Sequence, residues 1–423
     1  MMVTLFFLSA FILLVIGMPI ATAVGLSSLL YILLSDIPVM IVIQKLFSSI
    51  DSAPLLAIPF FTLAGGLMLT GGLAGRLIKL ANSLVGNLSG GLGIVTILGC
   101  MFFAAISGSS IATAAALGSI MIPAMVNKGY DREFAGAIVG AASPLGVIIP
   151  PSITFIIYAS ITNTSIKDLY TLGIPAGIII GIALMIVAYV VSKKNGYKGT
   201  DEPFSMKEFI SALKDASWAL GTPIIMVGGV FGGILTPTES AVVAVVYAIL
   251  VGKFIYKEMP LKDLWPIFRD SAKSTASVMF IICNAALFAY VLTIEQIPQS
   301  VTKGLLALSD NAIILLLIIN IILLIAGTFM ETIAILVIMV PMFMPVVQHI
   351  GMDPVFFGLI VIINTAIGMC TPPFGLCLLT AGNIGKANTE KLIKQSVVPI
   401  CAMILALFIL TYFPDLVMWT IEK

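Results

Sequence analysis

Charge is scarce in this chain. Only 10% of its 423 residues are Asp, Glu, Lys or Arg and 60% are hydrophobic, whereas an average soluble domain has about 25% charged residues. No water-soluble core needs that much apolar surface, so lipid is the solvent that the composition demands. Histidine is nearly absent: His349, the sole example, sits beside Gly351 and Asp353 in a turn and is expected at an interface, not in a proton relay. The five cysteines (Cys100, Cys283, Cys370, Cys377, Cys401) are odd in number, lack CxxC spacing and lie mostly in apolar stretches. They are expected to pack, and a metal site or disulfide framework is disfavoured. No basic run is long enough for nucleic acid, and the formal net charge is +1. There is no Ser/His/Asp order, His/Cys/Asp cluster, phosphate loop or Walker motif. ATP-driven transport by this chain alone is thereby excluded, and an enzyme has no catalytic constellation to work with.

What the chain has in abundance is apolar sequence in long runs. Stretches of about 20 residues, enough to cross a hydrocarbon core of about 30 Å, recur from Val3 to the C-terminus with charges confined between them. Runs such as Ile313 to Gly327 are continuously apolar, which argues against the period-two alternation of a barrel. The fold class expected is an all-α polytopic membrane protein. The N-terminus MMVTLFFLSAFILLVIG has no basic region and no small-residue cleavage site, so a retained first helix is expected and not a removed signal.

The chain also aligns with itself. GYDREFAGAIVGAASPLGVIIPP (Gly129 to Pro151) lies over GMDPVFFGLIVIINTAIGMCTPP (Gly351 to Pro373) without a gap at an offset of 222 residues. Asp131 falls on Asp353, Phe134 on Phe356, Gly136 on Gly358, Ser143 on Thr365 and Gly146 on Gly368, and both prolines coincide. Further out, Pro123 falls on Pro345 at the same offset, Pro19 on Pro237 at 218 and Pro175 on Pro399 at 224. Two repeats are therefore expected, residues 1–192 and 217–423, joined by a linker over 193–216. In each, scaffold helices come first (1–90; 217–310), then a polar-tipped hairpin and a broken helix (92–161; 311–386). Internal symmetry of this kind is typical of secondary transporters, whose halves are often inverted. The short segments Ile37 to Ile50 and Pro260 to Ala272 are expected to lie in the interface plane.

Lysines give a partial orientation. Lys193, Lys194, Lys198, Lys207 and Lys214 in the linker, and Lys253, Lys257, Lys262, Arg269 and Lys273 beyond Gly252, both point to the cytoplasm. Trp218 to Gly252 must then cross an even number of times, yet its length of about 35 residues is short for two spans and long for one. The sequence leaves the span count open.

Four polar breaks interrupt the apolar runs: AISGSSIATAAALGS (Ala105 to Ser119), ASPLGVIIPPS (Ala142 to Ser152), AGTFMETIAI (Ala326 to Ile335) and NTAIGMCTPPFG (Asn364 to Gly375). Unpaired backbone groups in hydrocarbon cost several kcal/mol each, so such breaks survive only where protein buries them or a cavity receives them. Their chemistry is hard and mostly neutral oxygen. Ser109, Ser110, Thr113 and Ser143 supply hydroxyls in the first half, with Gly146 and Pro150 marking unwound turns; Thr328 and Glu331 face Asn364, Thr365, Gly368 and Thr371 in the second. Hydroxyls and freed carbonyls suit an alkali cation such as Na⁺, and half-helix N-termini suit an anionic substrate. At least two cation sites, one per half, are expected, with substrate between them. Glu239, in LTPTES, is the other acid inside an apolar run, and a structural acceptor or a partner contact would explain it equally.

With SGSSIATAAALGS, ASPLGVIIPPS and NTAIGMCTPPFG on a duplicated chain of this length, the sequence resembles the large membrane subunit of tripartite ATP-independent periplasmic (TRAP) transporters over essentially its whole length. The resemblance implies a Na⁺-driven importer of organic acids in a bacterial inner membrane, working by an elevator movement of hairpins and broken helices against a scaffold of the remaining helices. It also implies a small four-helix membrane subunit, not expected within this chain, and a periplasmic substrate-binding protein. Carried over to this sequence, one Na⁺ site would use Ser109, Ser110, Ser143, Gly146 and Pro150, and the other Gly327, Thr328, Thr365, Gly368 and Thr371. Thr113, Pro151, Ser152, Glu331, Asn364 and Pro373 would lie near the substrate. The run SSIDSAPLLAIPFFTLAGGLM looks closer to the sialic-acid branch than to the C4-dicarboxylate branch. A stand-alone divalent-anion or citrate symporter of similar architecture is the competing reading, and a channel is disfavoured because no ring or filter motif is present.

Overall fold

Glycine and proline mark several of the helix boundaries in this chain. The computed structural model describes residues 2–199 and 204–421, and no strand occurs among them. Met2–Val15 and Ile20–Leu33 form a first helical pair. Between them Gly17 takes a left-handed φ of 91°, and Pro19 precedes the second helix, where a missing N–H costs nothing. Met40–Ser48 is a short separate helix, followed by Ala57–Thr70 and Leu73–Val85. A tight pair, Gly91–Ser107 and Ser110–Asn127, makes the first hairpin. The first broken helix runs from Arg132 to Ile148, then bends by 43° into Ile153–Thr162, and Ile166–Asn195 closes the half.

The second half repeats this order. Its hairpin is Ala312–Phe329 with Thr332–His349, its broken helix is Pro354–Gly368 with Leu376–Gly385, and its closing helix is Thr389–Tyr412. Ser107 and Phe329, Ser110 and Thr332, and Asn127 and His349 end or begin helices at the 222-residue offset. The two broken helices run antiparallel. Tyr158, near the end of one, donates to the Pro354 carbonyl at the start of the other (2.5 Å), while at the opposite end the Asn388 N–H reaches Glu133 (3.4 Å). Among the described residues, eight helices are long and apolar enough to cross a membrane, or nine if the bent pair counts as one span.

Two boundaries differ from expectation. Pro260 to Ala272 is not a separate interfacial piece, because Leu261–Ile294 is one continuous helix. No breaker lies between Ala272 and Ser274, whereas the first half has Asp51, Ser52 and Pro54 at the matching place. Residues 206–216, assigned above to the linker, belong to the helix Met206–Phe231, which Ser205 caps by accepting from the Glu208 N–H (3.5 Å). Residues 200–203 of that linker lie outside the described residues. The segment Trp218 to Gly252 falls across two helices, and of these only Pro237–Ile255 is among the described helices long and apolar enough to cross a membrane. Met206–Phe231 and Pro237–Leu250 form an antiparallel pair, and beyond the second helix the Tyr256 hydroxyl donates to the Asp215 carbonyl within the first (2.7 Å). At the turn between the two helices, the other end of the pair, Glu239 closes a capping box, accepting from the Thr236 N–H and hydroxyl (both 2.8 Å), so it is a structural acceptor.

Two helical groups can be distinguished, and they pack on each other closely where Leu73–Val85 meets Gly91–Ser107 and where Thr332–His349 meets Leu261–Ile294 and Ile297–Leu308. Hairpins and broken helices pack on one another, and both closing helices pack with them and not with the group expected to hold them. The other group comprises the helices of residues 2–85 and 206–308. Lipid tails are as apolar as leucine, so small residues and close fit hold such groups together. A Cβ on Gly140 would lie 2.9 Å from the Leu378 Cα, which shows how closely the two broken helices approach. Ile224, Ile234 and Leu308 stay exposed, as lipid-facing side chains must. At the base of the first hairpin, Tyr197 donates to Asp131 (2.6 Å) and stacks on Tyr130. Burial and the Asp131 carboxylate push the Tyr197 phenol up to about 12, so it stays a protonated donor.

Arg76 ties the second group together. Its guanidinium bonds Asp215 (3.1 Å), Glu258 (2.8 Å) and the Gly72 carbonyl (2.9 Å) while stacking on Tyr256 at 3.6 Å. Both carboxylates are half-exposed, so screening limits the gain to about 1 kcal/mol. Arg76→Ala is expected to lower the thermal unfolding midpoint in detergent, and Arg76→Lys to recover little, since a lysine cannot make the fork or the stack. An unchanged midpoint in Arg76→Ala would refute the clasp.

Candidate functional site

The first hairpin turns on Gly108, whose φ of 58° favours glycine, and Ser109 is extended before the next helix begins. Thr113 donates its hydroxyl to the Ser109 carbonyl (2.8 Å) and lies 3.0 Å from the Ser107 hydroxyl. The Ser110 hydroxyl is buried with no partner. The first break presses on this tip: a Cβ on Gly146 would lie 2.9 Å from the Ser109 carbonyl oxygen, and one on Gly108 would lie 3.1 Å from that of Pro151. Ser143 gives its proton to the Val139 carbonyl, and Ser152 gives its own to that of Val147 (2.7 Å). Pro150–Pro151 is cis, as is Pro372–Pro373.

The second tip meets the second break in the same way. A Cβ on Gly327 would lie 3.0 Å from the Gly368 Cα and 3.4 Å from the Thr365 carbonyl oxygen. Thr328 donates to Ile325 (2.8 Å), Thr365 to Val361 (3.0 Å) and Thr371 to Ile367 (2.8 Å). Each of these hydroxyls thus places its proton on its own helix and keeps oxygen lone pairs for something else. That is what a hard cation requires, so both residue sets fit an alkali ion, and the orphaned Ser110 oxygen supports the first independently.

Both tips line one cavity of about 400 Å³. Ser109 and Ser110 reach it from the first hairpin, Glu331 and Thr332 from the second, and Thr154 and Met369 from the breaks. Glu331 stands at the N-terminus of Thr332–His349 without bonding its backbone. Thr113, Pro151 and Ser152 lie behind the surface, tied into the first tip and break, and Pro373 is exposed away from the cavity. Asn364 faces elsewhere: it is buried and donates to Asn320 (2.7 Å) and to the Ile360 carbonyl (2.9 Å).

The opposite wall went unrecognised in the sequence. Thr62, Thr70, Asp270 and Ser274 complete the cavity from Ala57–Thr70 and Leu261–Ile294. A signal existed, since Thr62, Gly66 and Thr70 recur every four residues along an otherwise apolar helix, as Asp270 and Ser274 do on theirs.

Two hairpins and two broken helices converging on a cavity that carries hydroxyls and two carboxylates, inside an all-helical, lipid-facing body, define a membrane transporter. In fold the chain is similar to the solved transporter YdaH of Alcanivorax borkumensis, with a TM-score of 0.62, 15% identity and 88% of each chain covered. The chain belongs to the family of the DctM component of tripartite ATP-independent periplasmic transporters, which it matches over residues 7–416. It is 44% identical to the isethionate TRAP transporter permease protein of Oleidesulfovibrio alaskensis over 96% of its own length and 64% of that protein's. Identity to the C4-dicarboxylate TRAP transporter large permease of Pseudomonas aeruginosa is 43%, covering 93% of this chain and 92% of that one. The sialic acid TRAP transporter large permease of Vibrio cholerae is 36% identical over 94% and 93% of the two chains. These relatives are permeases, and the chain is a multi-pass membrane transporter subunit, not an enzyme.

Proposed function

We propose that this chain is the large permease of a Na⁺-driven importer of a small organic acid in a bacterial inner membrane. It works there with a small membrane subunit and a periplasmic binding protein. The observation that carries the proposal is the convergence of the two hairpin tips on one cavity, Ser109 and Ser110 from the first and Glu331 and Thr332 from the second, with Thr154 and Met369 beside the two breaks. One cation sits at Ser109, Ser110, Ser143, Gly146 and Pro150, the other at Gly327, Thr328, Thr365, Gly368 and Thr371. Bound there, Na⁺ supplies positive charge that draws the acid group toward the N-termini of Ser110–Asn127 and Thr332–His349. Isethionate or a C4-dicarboxylate is favoured over sialic acid by the higher identities.

The antiparallel broken helices support an inverted repeat, and the two helical groups support an elevator movement of one against the other. Lysine placement supports an orientation in which the cavity, with Asp270 and Thr70 in its lining, lies on the cytoplasmic side of the tips. Uptake by the full complex in liposomes tests the proposal. An inward Na⁺ gradient is expected to drive accumulation and an equal K⁺ gradient is not; equal uptake in both would sink the Na⁺ coupling. Full uptake by this chain alone would favour the stand-alone symporter.

A further inference from the structure

A second cavity, of about 440 Å³ and with hydroxyls and one lysine in an otherwise apolar lining, lies on the other side of the same interface between the two groups. One wall is Lys45, Ser49 and Ser52 with Tyr290 near the end of Leu261–Ile294; the other is Ser160, at the end of the first broken helix, with Pro341 of the second hairpin. Ser52 and Ser160 touch across it at 3.2 Å, hydroxyl to hydroxyl. Lys45 is its only charged lining residue among the described residues. The ammonium lies 4.9 Å from the centre of the Tyr290 ring, and among the described residues no carboxylate pairs with it. The cavity at the tips has the opposite character, with Asp270 and Glu331 in its lining and no lysine or arginine.

We infer that the Lys45 cavity is a second binding site for the transported acid, holding its carboxylate or sulfonate on the periplasmic side before it reaches the hairpin tips. This inference rests on the proposed organic-acid permease. An unpaired ammonium against an aromatic face, ringed by hydroxyls, offers an oxyanion both charge and hydrogen-bond donors. The lining includes both groups, so movement of one against the other opens or closes the site. The sign of charge also gives a direction. An anion is attracted at Lys45, carried in beside the coupling cations, and repelled by Asp270 and Glu331 once those cations leave.

The test is initial-rate uptake of isethionate and of succinate by the full complex in phosphatidylcholine liposomes, repeated with anionic lipid added. Lys45→Gln is expected to raise KM about fivefold with kcat retained and to flatten the dependence of KM on ionic strength. Lys45→Arg is expected to stay within about twofold of the parent, since the charge remains. A KM unchanged in Lys45→Gln would overturn the inference, as would a loss confined to kcat. An effect seen only with anionic lipid would assign the site to a lipid headgroup and overturn it too. Wild-type uptake equal in Na⁺ and K⁺ would sink the coupling proposal separately, because the Lys45 comparison is then made in either salt.

Discussion

Gly368→Ala is expected to reduce Na⁺-driven uptake by up to about a hundredfold while the protein still reaches the membrane. A methyl group built on Gly368 meets the Cα and carbonyl carbon of Gly327, and one on Gly327 meets the Gly368 Cα at 3.0 Å. No flexible side-chain end is available to move aside, so backbone must shift. Overpacking of this kind costs about 1–3 kcal/mol, and the upper end corresponds to about a hundredfold in an equilibrium. The strain is relieved by parting the second tip from the second break, where the second cation is proposed to sit. Gly304→Ala is the control, because nothing lies within 4 Å of its added methyl. Measuring uptake and membrane-inserted protein together decides the matter: wild-type uptake in Gly368→Ala would show that this contact does not shape a working site.

The tips and breaks were legible in the sequence because they are local. A hydroxyl, glycine and Pro-Pro cluster stands out in an apolar run at the place where the backbone turns, and the 222-residue offset pairs each cluster with its twin. What was hidden depends on partners far along the chain. Asn364 has the composition of a site residue, yet its amide turns to Asn320, on the facing arm of the hairpin. Thr62, Thr70, Asp270 and Ser274 resemble ordinary helix positions until two helices bring them opposite the tips. Residues 206–216 carry Lys207, Glu208, Lys214 and Asp215 and so resemble a linker, but Arg76 and Tyr256 receive Asp215 and the helix runs through them. Composition registers solvent preference; it does not register the partner that makes a charged turn helical.

Ser143→Ala and Thr365→Ala are each expected to raise the Na⁺ concentration for half-maximal uptake about tenfold, equivalent to about 1.4 kcal/mol, with little loss of rate at saturating Na⁺. Both hydroxyls spend their protons on carbonyls of their own helices, to Val139 and Val361, so removing either leaves the backbone hydrogen bonds of the helix intact and removes an oxygen, with a methyl group as well at Thr365. Both residues are buried, and the truncation leaves little room for collapse. A packing role predicts something different: lower expression or stability with Na⁺ affinity unchanged. Thr365→Ser restores the oxygen without the methyl group and is expected to recover Na⁺ affinity, which separates ligation from packing. The two alanine variants act on different tips and different breaks, so their free-energy costs are expected to add in the double variant. A Na⁺ titration of uptake in the four proteins checks this. Unchanged half-saturation in both single variants would return Ser143 and Thr365 to helix packing, and a double variant no worse than either single one would mean the two breaks serve one cation and not two.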